Sequence, residues 1–418
     1  MNRPPNRPYV LALVEPNSRD RIREECDKRG LDARFAVKHD EVRDADCIAL
    51  DMYDLVTSTA TAVTDALGEP VAIINSIEQS AIKAGMLAVH FGVATNPERT
   101  ARVLRDKWAM KEAWNQAGVR TPASRLIHGV DELDGLDLEY PVIVKPVCGA
   151  ASAGVRLVTD AAQLRVAARK IFRFNVTALQ REGFSRSGLL LEQYIEGPEF
   201  AIDCVWVDGV LRVAGIFSKG SPEGPTFPDR LYRLDPEQAP EEASALILEA
   251  RRAATAAGVW SGATHTELRV DAAGTPWVIE AAFRPGASGG LYATLERGTG
   301  QNFFGALVDS ALPEALRQAY SADAHEFVWR APTSRAYWYN LHYEGSGRLG
   351  RLEVPEDFYQ RHPSVEEVVW RRAVGDYLPS EADSYGYLAW FRGVLEASAG
   401  ADLTELEQAE RDVIVDFA

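Results

Sequence analysis

The chain has 418 residues, of which 46% are hydrophobic and 25% are charged. This length predicts two or three domains, and the composition is typical of a folded globular protein rather than a disordered one. With 45 basic and 61 acidic residues the formal net charge is -16, so we expect no nucleic-acid partner. No apolar run reaches the roughly 20 residues that a membrane helix needs, so we expect no membrane partner either. The four cysteines are widely spaced, which predicts neither disulfides nor a zinc site and favours a cytoplasmic protein.

Short apolar runs alternate with helix-like segments in residues 1–100, which we interpret as the first domain. Strands are predicted at Tyr9–Glu15, Cys47–Leu50 and Val71–Asn75, and a charged helix at Ser18–Arg29. Such alternation predicts a parallel sheet with helices on both faces. Because no GxGxxG sequence follows the first strand, we expect a Rossmann-like domain that binds no dinucleotide of its own.

Residues 101–320 are predicted to form the second domain, and residues 321–418 a third. The second domain is predicted to contain, in chain order, a helix at 105–118, strands at 140–146 and 189–194, a hairpin at 199–207 and 210–218, a Pro/Gly-rich loop at 220–236, a helix at 241–257, and strands at 264–270 and 276–281. The third is predicted to have short strands and a helix at Asp402–Asp416. Its aromatic residues are predicted to be core: Tyr337, Trp338, Tyr339, Tyr385, Tyr387 and Trp390.

Two lysines are candidates for binding an anion. Lys145 lies inside an apolar predicted strand, and a buried ammonium needs either an internal salt bridge or a bound anion. The residues of Gly149–Gly154 all have small side chains, so their backbone N–H groups could close around phosphate oxygens. Together these features favour a nucleotide phosphate site. Lys107, on the helix before this strand, is either part of the same site or an ordinary solvated lysine.

Two glutamates flank the turn after the strand at 189–194. Glu192 ends that strand, which leaves the following backbone open to a flat ring. Glu199 begins the next strand and could accept hydrogen bonds from ribose hydroxyls. The spacing is equally compatible with two solvated glutamates at the edge of a hairpin, so both interpretations stay open.

Glu267 and Glu280 are the strongest candidates for a metal site. They lie on consecutive strands, HTELRV and WVIEAA, joined by a tight turn, so they can point to the same face of a hairpin. Two adjacent carboxylates repel unless a proton or cation lies between them. Oxygen ligands beside a phosphate favour Mg²⁺. The alternative is that one carboxylate pairs with Arg269 or Arg284.

Two further side chains lie close to these glutamates in the sequence. Arg284 could stabilise charge on a phosphorylated carbonyl or an oxyanion, and a salt bridge that orients Glu280 is a compatible alternative. His265 precedes Glu267 by two residues, which places both on one face of a strand. Packing against the core, support of a neighbouring ligand, and contact with substrate are the three roles considered for His265.

Taken in order, these segments resemble the carboxylate–amine ligases of the ATP-grasp superfamily, from about Thr100 to Asn302. The resemblance implies an α/β ATP-grasp fold with an N-terminal Rossmann-like domain and a C-terminal lid-like α+β subdomain. Within the central domain it implies a small nucleotide-clamping subdomain at about 120–195 and a metal-binding sheet at about 196–320. Residues 321–418 then complete the ATP-grasp unit.

The resemblance also assigns roles to individual residues. To ATP it assigns four segments. The lysines are Lys107 of RDKWAMKEAWNQAGV and Lys145 of YPVIVKP. The flap CGAASAGV contributes Gly149, Ser152 and Gly154, and the hinge LLLEQYIEGPEF contributes Glu192, the backbones of Gln193 and Ile195, and Glu199. To Mg²⁺, with Mn²⁺ as a substitute, it assigns Glu267 and Glu280. It implies that Arg284 lies near the reacting acyl phosphate and that His265 and Gly289 lie near substrate.

One departure from the family pattern is informative. The family usually has Asn two residues after the second metal glutamate, whereas this chain has Ala282, which leaves the number of metal ions open. The peptide-forming L-amino-acid ligases also often lack this Asn and retain the arginine. The segment SKGSPEGPTFPDRLYRLDP resembles the long substrate loop of that subgroup, so the chain is most similar to it.

The resemblance implies an ADP-forming ligase that joins a small carboxylate to an amine through an acyl phosphate. Amino acids or similar compounds are the expected substrates, although the sequence names neither the acid nor the amine. Antibiotic or other specialised-metabolite biosynthesis and a homodimer are expected by analogy with the family. Two alternatives stay open: an ATP-grasp carboxylase that uses bicarbonate, and a non-catalytic ATP-binding module.

Overall fold

The computed structural model describes residues 7–37, 45–49, 56–94, 96–149, 152–182, 188–221, 224–320, 328–343, 345–378, 387–396 and 402–418. Ala150 and Ala151 of the predicted flap, part of the Pro/Gly-rich loop and Tyr385 therefore lie outside the described residues. No helix in the part of the chain that is described combines the length and the apolar character needed to cross a membrane.

The first sheet is parallel, as the alternating pattern predicts. Its strands are β1 (Tyr9–Leu13), β2 (Asp32–Val37), β3 (Cys47–Ala49) and β4 (Ala72–Asn75), in the order β3-β2-β1-β4, with helices α1 (Pro16–Lys28), α2 (Val56–Leu67) and α3 (Ala81–His90) between or after them. Alternate residues of β1 enter two different cores: Val10 packs in the cluster that contains Ile22 of α1, and Leu11 in the one that contains Ala60 of α2. The sheet is thus covered on both faces, which explains why β1 is continuously apolar.

Two helices lead to the second sheet. They are α4 (Glu98–Arg105) and α5 (Lys107–Gln116), separated at Asp106, whose side chain accepts hydrogen bonds from the backbone N–H groups of Trp108 and Ala109. This N-cap starts a new helix and sets Lys107 in its first turn. The second sheet is antiparallel, in the order β5-β8-β6-β7, and packs against α6. Its elements are β5 (Ser124–Ile127), β6 (Val142–Pro146), β7 (Arg156–Val158), α6 (Ala161–Glu182) and β8 (Leu189–Gln193).

The largest sheet has eight strands in the order β13-β12-β9-β10-β11-β14-β18-β16. The remaining elements in chain order are β9 (Glu199–Val207), β10 (Val210–Gly220), β11 (Leu231–Arg233), α7 (Pro240–Ala257), β12 (Gly262–Val270), β13 (Pro276–Ala282), α8 (Gly290–Thr299), α9 (Phe303–Ala311), α10 (Glu314–Tyr320), β14 (Arg335–Leu341), β15 (Gly347–Glu353), α11 (Phe358–Arg361), β16 (Val365–Trp370), β17 (Tyr377–Leu378), β18 (Ala389–Leu395), α12 (Asp402–Arg411) and β19 (Ile414–Phe417). Because β11 pairs with β14, hydrogen bonds cross the boundary predicted at residue 320. The division into three domains stays a prediction.

The last hundred residues differ from their prediction in one element. The predicted helix Asp402–Asp416 ends at Arg411, and Ile414–Phe417 forms a strand that pairs with β15. The β-branched pair Ile414-Val415 favours a strand, and its pairing with β15 decides the outcome. The aromatic residues of β14 are core, as predicted, with Tyr337, Trp338 and Tyr339 at most 1% exposed. Tyr387 and Trp390 are half-buried.

Candidate functional site

Lys145 of β6 lies in a buried ion pair with Glu192 of β8. Its Nζ is 2.8 Å from Glu192 Oε2, and both side chains are almost fully buried. A second ammonium, that of Lys111 on α5, lies 3.1 Å from Glu192 Oε1. We call Lys111, Lys145 and Glu192 the basic cluster, because two positive charges share one negative charge. The internal salt bridge considered for Lys145 is therefore present, and Glu192 is not a solvated glutamate.

The charges in the basic cluster shift the pKa values of its members. Burial lowers the pKa of Lys111 to about 8 although Glu192 opposes the change. Burial disfavours the Glu192 carboxylate, but the charges of Lys111 and Lys145 outweigh it and hold its pKa below the ordinary value. Sequence reasoning missed Lys111. The signal was available, since Lys107 and Lys111 are four residues apart and so share one face of a helix.

Lys107 is buried and does not extend into solvent. Only 5% of the residue is exposed, and its Nζ lies 2.6 Å from Glu280 Oε1 and 3.3 Å from the carbonyl oxygen of Gly149. One side chain thus joins α5, the start of the predicted flap and the predicted metal site. The flap residues Ser152 and Gly154 both have positive φ angles, of 55° and 78°, in the left-handed region that Gly adopts readily.

Glu267 and Glu280 are direct partners in the antiparallel pairing of β12 with β13. Direct partners point to the same face of a sheet, so the prediction that the two carboxylates share a face is confirmed. The alternative partners are engaged elsewhere: Arg269 Nε lies 2.9 Å from Glu199, and Arg284 contacts Glu78. The alternative in which one carboxylate of this pair is paired with Arg269 or Arg284 is therefore not what the structure has.

Glu267 also belongs to a group of three acids. A carboxylate oxygen from each of Glu199, Asp229 and Glu267 lies within 4.8 Å of the other two. Lys219 Nζ lies among them, 2.5 Å from Glu199, 2.6 Å from Asp229 and 2.9 Å from Glu267. We call these four residues the acidic cluster. Glu199, predicted to bind ribose, is thus held by Lys219 and Arg269, and its ribose role stays a prediction.

Burial and charge act in opposite directions in the acidic cluster. Burial favours the neutral amine of Lys219, but the surrounding carboxylates outweigh it and raise its pKa well above the ordinary value. Burial likewise disfavours the Glu267 carboxylate, but Lys219 and His265 hold its pKa well below the ordinary value. The sequence did not single out Lys219 or Asp229, because neither lies at a spacing that marks a ligand.

His265 links the acidic cluster to Asp203. Its Nδ1 is 3.2 Å from Asp203 Oδ2, and its Nε2 is 3.6 Å from Glu267 Oε1. Burial disfavours the imidazolium, but Asp203 raises the pKa of His265 to about 9, so His265 is charged at neutral pH. Asp203 also accepts a hydrogen bond from the backbone N–H of Gly286 at 2.7 Å. A Cβ atom at Gly286 would lie 2.7 Å from Asp203 Oδ2 and 2.8 Å from His265 Nδ1, so this approach requires glycine.

Arg284 contacts a residue of the first domain. Its Nε and Nη2 lie 2.9 and 2.8 Å from Glu78 Oε2, and Arg105 binds the other oxygen of Glu78. The predicted alternative, in which Arg284 orients Glu280, is therefore wrong. Burial opposes ionisation of Glu78, but Arg284 and Arg105 outweigh it and lower its pKa to about 2. Sequence reasoning missed Glu78, which lies 206 residues from Arg284.

The remaining predicted residues, Gln193, Ile195 and Gly289, have contacts within the protein. The backbone N–H of Gln193 donates to the carbonyl of Ala123, and the carbonyl of Ile195 accepts from Arg269 Nη1 at 3.1 Å. A Cβ atom at Gly289 would lie 2.4 Å from the hydroxyl oxygen of Ser18 on α1. Gly289 therefore has a packing reason to be glycine, and contacts of these three residues with ATP or substrate stay predictions.

The paired glutamates fit a divalent cation. Mg²⁺ bound with nucleotide is held by one or two carboxylates, the phosphates and water, and Glu267 and Glu280 supply two adjacent carboxylates. Each already contacts an ammonium, Glu267 that of Lys219 and Glu280 that of Lys107, so the site accommodates positive charge at both positions. Ala282 pairs with His265 across the two strands and supplies no ligand atom.

Comparison with known proteins identifies an ATP-grasp domain in this chain. Residues 138–294 match the family model of the ATP-grasp domain. The D-alanine–D-alanine ligase of Gloeobacter violaceus is 28% identical over 198 residues, which cover 44% of this chain and 60% of that protein. Human carnosine synthase 1 is 30% identical over 143 residues, 34% of this chain and 17% of that protein. The chain thus matches less than two thirds of the length of these curated relatives.

Among solved structures, an L-amino acid ligase from Bacillus licheniformis superposes with a TM-score of 0.83. The superposition covers 99% of each chain at 24% sequence identity. The likeness therefore extends through the N-terminal parallel sheet and the C-terminal strands as well as the matched central domain. It confirms the predicted α/β architecture over the full length.

Proposed function

Because this chain carries an ATP-grasp domain and has the ATP-grasp fold, we propose that it is an ATP-dependent, ADP-forming ligase. Its reaction would join a small carboxylate to an amine through an acyl phosphate. Amino acids or similar compounds are the proposed substrates, by analogy with the L-amino acid ligase whose fold it shares. A cytoplasmic location, a homodimer and a place in specialised-metabolite biosynthesis belong to the same proposal.

The observation that carries the proposal is that a basic cluster lies beside two paired carboxylates. The basic cluster has one more positive than negative charge, and the paired glutamates of β12 and β13 place two negative charges together. The two lie close, since Lys111 Nζ donates to the carbonyl of Ile279, the residue before Glu280, and Lys107 joins Glu280 to the carbonyl of Gly149 at the start of the predicted flap. A metal–nucleotide complex carries both complementary charges, anionic phosphates and a divalent cation, and so suits this arrangement.

The proposed reaction needs no nucleophile from the protein. Lys107 and Lys145 would bind and orient the ATP phosphates while a substrate carboxylate attacks the γ-phosphorus. ADP leaves, and the amine then attacks the acyl phosphate and displaces inorganic phosphate. Glu267 and Glu280 would hold Mg²⁺, which neutralises phosphate charge when bound. Arg284 would stabilise the developing negative charge, and its two contacts with Glu78 fix the direction of the guanidinium.

The direct test is release of ADP and phosphate from Mg-ATP in the presence of amino acids, singly and in pairs. The proposal expects pair-dependent ADP release and, by mass spectrometry, a product lighter than its two substrates by one water. AMP release would contradict the acyl-phosphate route. ADP release that depends on bicarbonate and not on an amine would favour the carboxylase, and ATP binding without turnover of any acid and amine would favour a non-catalytic module.

A further inference from the structure

Lys219 lies on the face of the sheet that carries Glu199 and Glu267. Two residues before it, Phe217 pairs with Ala201 of β9, and Ala201 pairs with Glu267 of β12. Side chains two residues apart in a strand point to the same face, so Lys219 points towards these carboxylates. The register of β10 against β9 shifts at this position, between Ser218 and Gly220. The side chain is only 8% exposed.

The ammonium of Lys219 is saturated by carboxylates. An ammonium has three N–H donors, and Lys219 Nζ has three carboxylate neighbours at 2.5, 2.6 and 2.9 Å. They come from three different segments: β9, the end of the loop after β10, and β12. This surrounding of a positive centre by oxygens resembles the coordination of a metal ion. Without the cation, three closely spaced carboxylates would repel one another.

Glu267 cannot keep this contact and also bind a divalent cation through the same oxygen. Lys219 and His265 both contact Glu267 Oε1, and a metal ion coordinated to Oε1 would lie within a few ångströms of the ammonium, where like charges repel. One of the two cations must therefore leave this oxygen. Glu280 has the same arrangement, because Lys107 contacts its Oε1.

We propose that Lys219 is the resident cation of the nucleotide-free site and that a divalent metal reaches Glu267 Oε1 only by exchange with its ammonium. This inference deepens the proposed function and rests on it, since the metal is the one that would accompany ATP. Competition from Lys219 keeps the affinity for free metal low. The metal therefore binds together with the nucleotide, whose phosphates supply further ligands.

The test measures binding of Mn²⁺ alone to the nucleotide-free protein, from the electron paramagnetic resonance signal of the unbound ion. Lys219→Met removes the competing ammonium and leaves three carboxylates, so its Kd for Mn²⁺ should be at least tenfold lower than that of the wild type. Lys219→Arg is the matched control, because it keeps the positive charge and should show no gain. An unchanged Kd in Lys219→Met, or an equal gain in Lys219→Arg, would overturn the proposal.

A second pair of variants covers the case in which Lys219→Met does not fold. Lys219→Met/Asp229→Asn removes one charge of each sign, and its reference is Asp229→Asn. The double variant should bind Mn²⁺ more tightly than this reference, and equal affinities would overturn the proposal. ADP release by the wild type is measured separately. A wild type without turnover would remove the proposed ligase activity alone, whereas an active wild type with no gain in either pair would remove only the role of Lys219.

Discussion

The basic cluster and the acidic cluster are built from the same residue types in opposite proportions. In the first, Lys111 and Lys145 share the single carboxylate of Glu192. In the second, Glu199, Asp229 and Glu267 share the single ammonium of Lys219. Within each cluster one sign of charge outnumbers the other, although Arg269 and His265 also contact Glu199 and Glu267 from outside the acidic cluster. The difference shows that an ion pair does not exclude ligand binding, because the groups in excess suit an anion in the basic cluster and a cation in the acidic cluster.

The two clusters also differ in burial and in the contacts that fix their side chains. The side chains of the basic cluster are at most 3% exposed, whereas Glu267 is 22% exposed. Lys111 has further fixed partners in the hydroxyl of Thr121 and the carbonyl of Ile279. We therefore expect the basic cluster to be a rigid platform, and the acidic cluster to be the one in which partners exchange.

The largest effect is expected on the metal side. Glu280→Gln removes one proposed ligand and the partner of Lys107, and it should lower turnover by roughly 10³-fold, since charge stabilisation of the reacting phosphate is lost. The measurement is ADP release together with thermal unfolding. Glu249→Gln is a matched control, because Glu249 is a buried glutamate of α7 paired with Arg252. Turnover near the wild-type rate in Glu280→Gln would contradict the metal assignment.

Glu78 repeats the pattern of the basic cluster with two arginines in place of two lysines. Its single negative charge is shared by two guanidiniums, those of Arg284 and Arg105. Arg284→Ala should lower kcat by roughly 10²-fold and change the KM for ATP little, because the guanidinium acts on the reacting group. The check is steady-state kinetics with ATP varied. A selective loss of ATP binding with kcat preserved would place Arg284 in the nucleotide site instead.

Local pattern accounts for much of the fold and for part of the site. The parallel sheet of residues 9–75 and the hairpin that pairs Glu267 with Glu280 were predictable because alternation and tight turns are local signals. The apolar context of Lys145 likewise showed that it is buried and needs an anionic partner. The continuation of the eight-stranded sheet through β14, β18 and β16 was not predictable, since strand order depends on packing between distant segments.

Glu78 and Asp203 were missed because their partners are far away in the sequence. Glu78 meets Arg284 across 206 residues, and Asp203 meets His265 across 62. Lys219 meets Glu199 and Glu267 only because β9, β10 and β12 are neighbours in the sheet. The sequence therefore predicted the candidate ligands that lie on strands. The charged residues that orient or neutralise these ligands became visible only in the tertiary structure.

Variants of the two lysines of the basic cluster distinguish a role in stability from a role in nucleotide binding. Lys145→Met should weaken binding of a non-hydrolysable ATP analogue by about tenfold, a loss of about 1.4 kcal/mol, while Glu192 keeps Lys111. Lys111→Met should mainly lower the free energy of unfolding, by about 1–3 kcal/mol, because buried acceptors lose their donor. Calorimetric titration and urea unfolding of both variants test this. Equal losses of nucleotide affinity would show that the cluster acts as one unit.

The pH dependence of stability isolates the Glu78 carboxylate. Its pKa in the folded protein is about 2, lowered from 4.5, so ionisation of Glu78 stabilises the fold above pH 4.5. This stabilisation should decline as the pH falls from 4.5 towards 2. At neutral pH it corresponds to about 3 kcal/mol. The free energy of unfolding of Glu78→Gln should therefore lie furthest below that of the wild type above pH 4.5, and the difference should shrink towards pH 2. A difference that is constant with pH would mean that Glu78 contributes through hydrogen bonds alone, and the likeness between this site and the basic cluster would then fail.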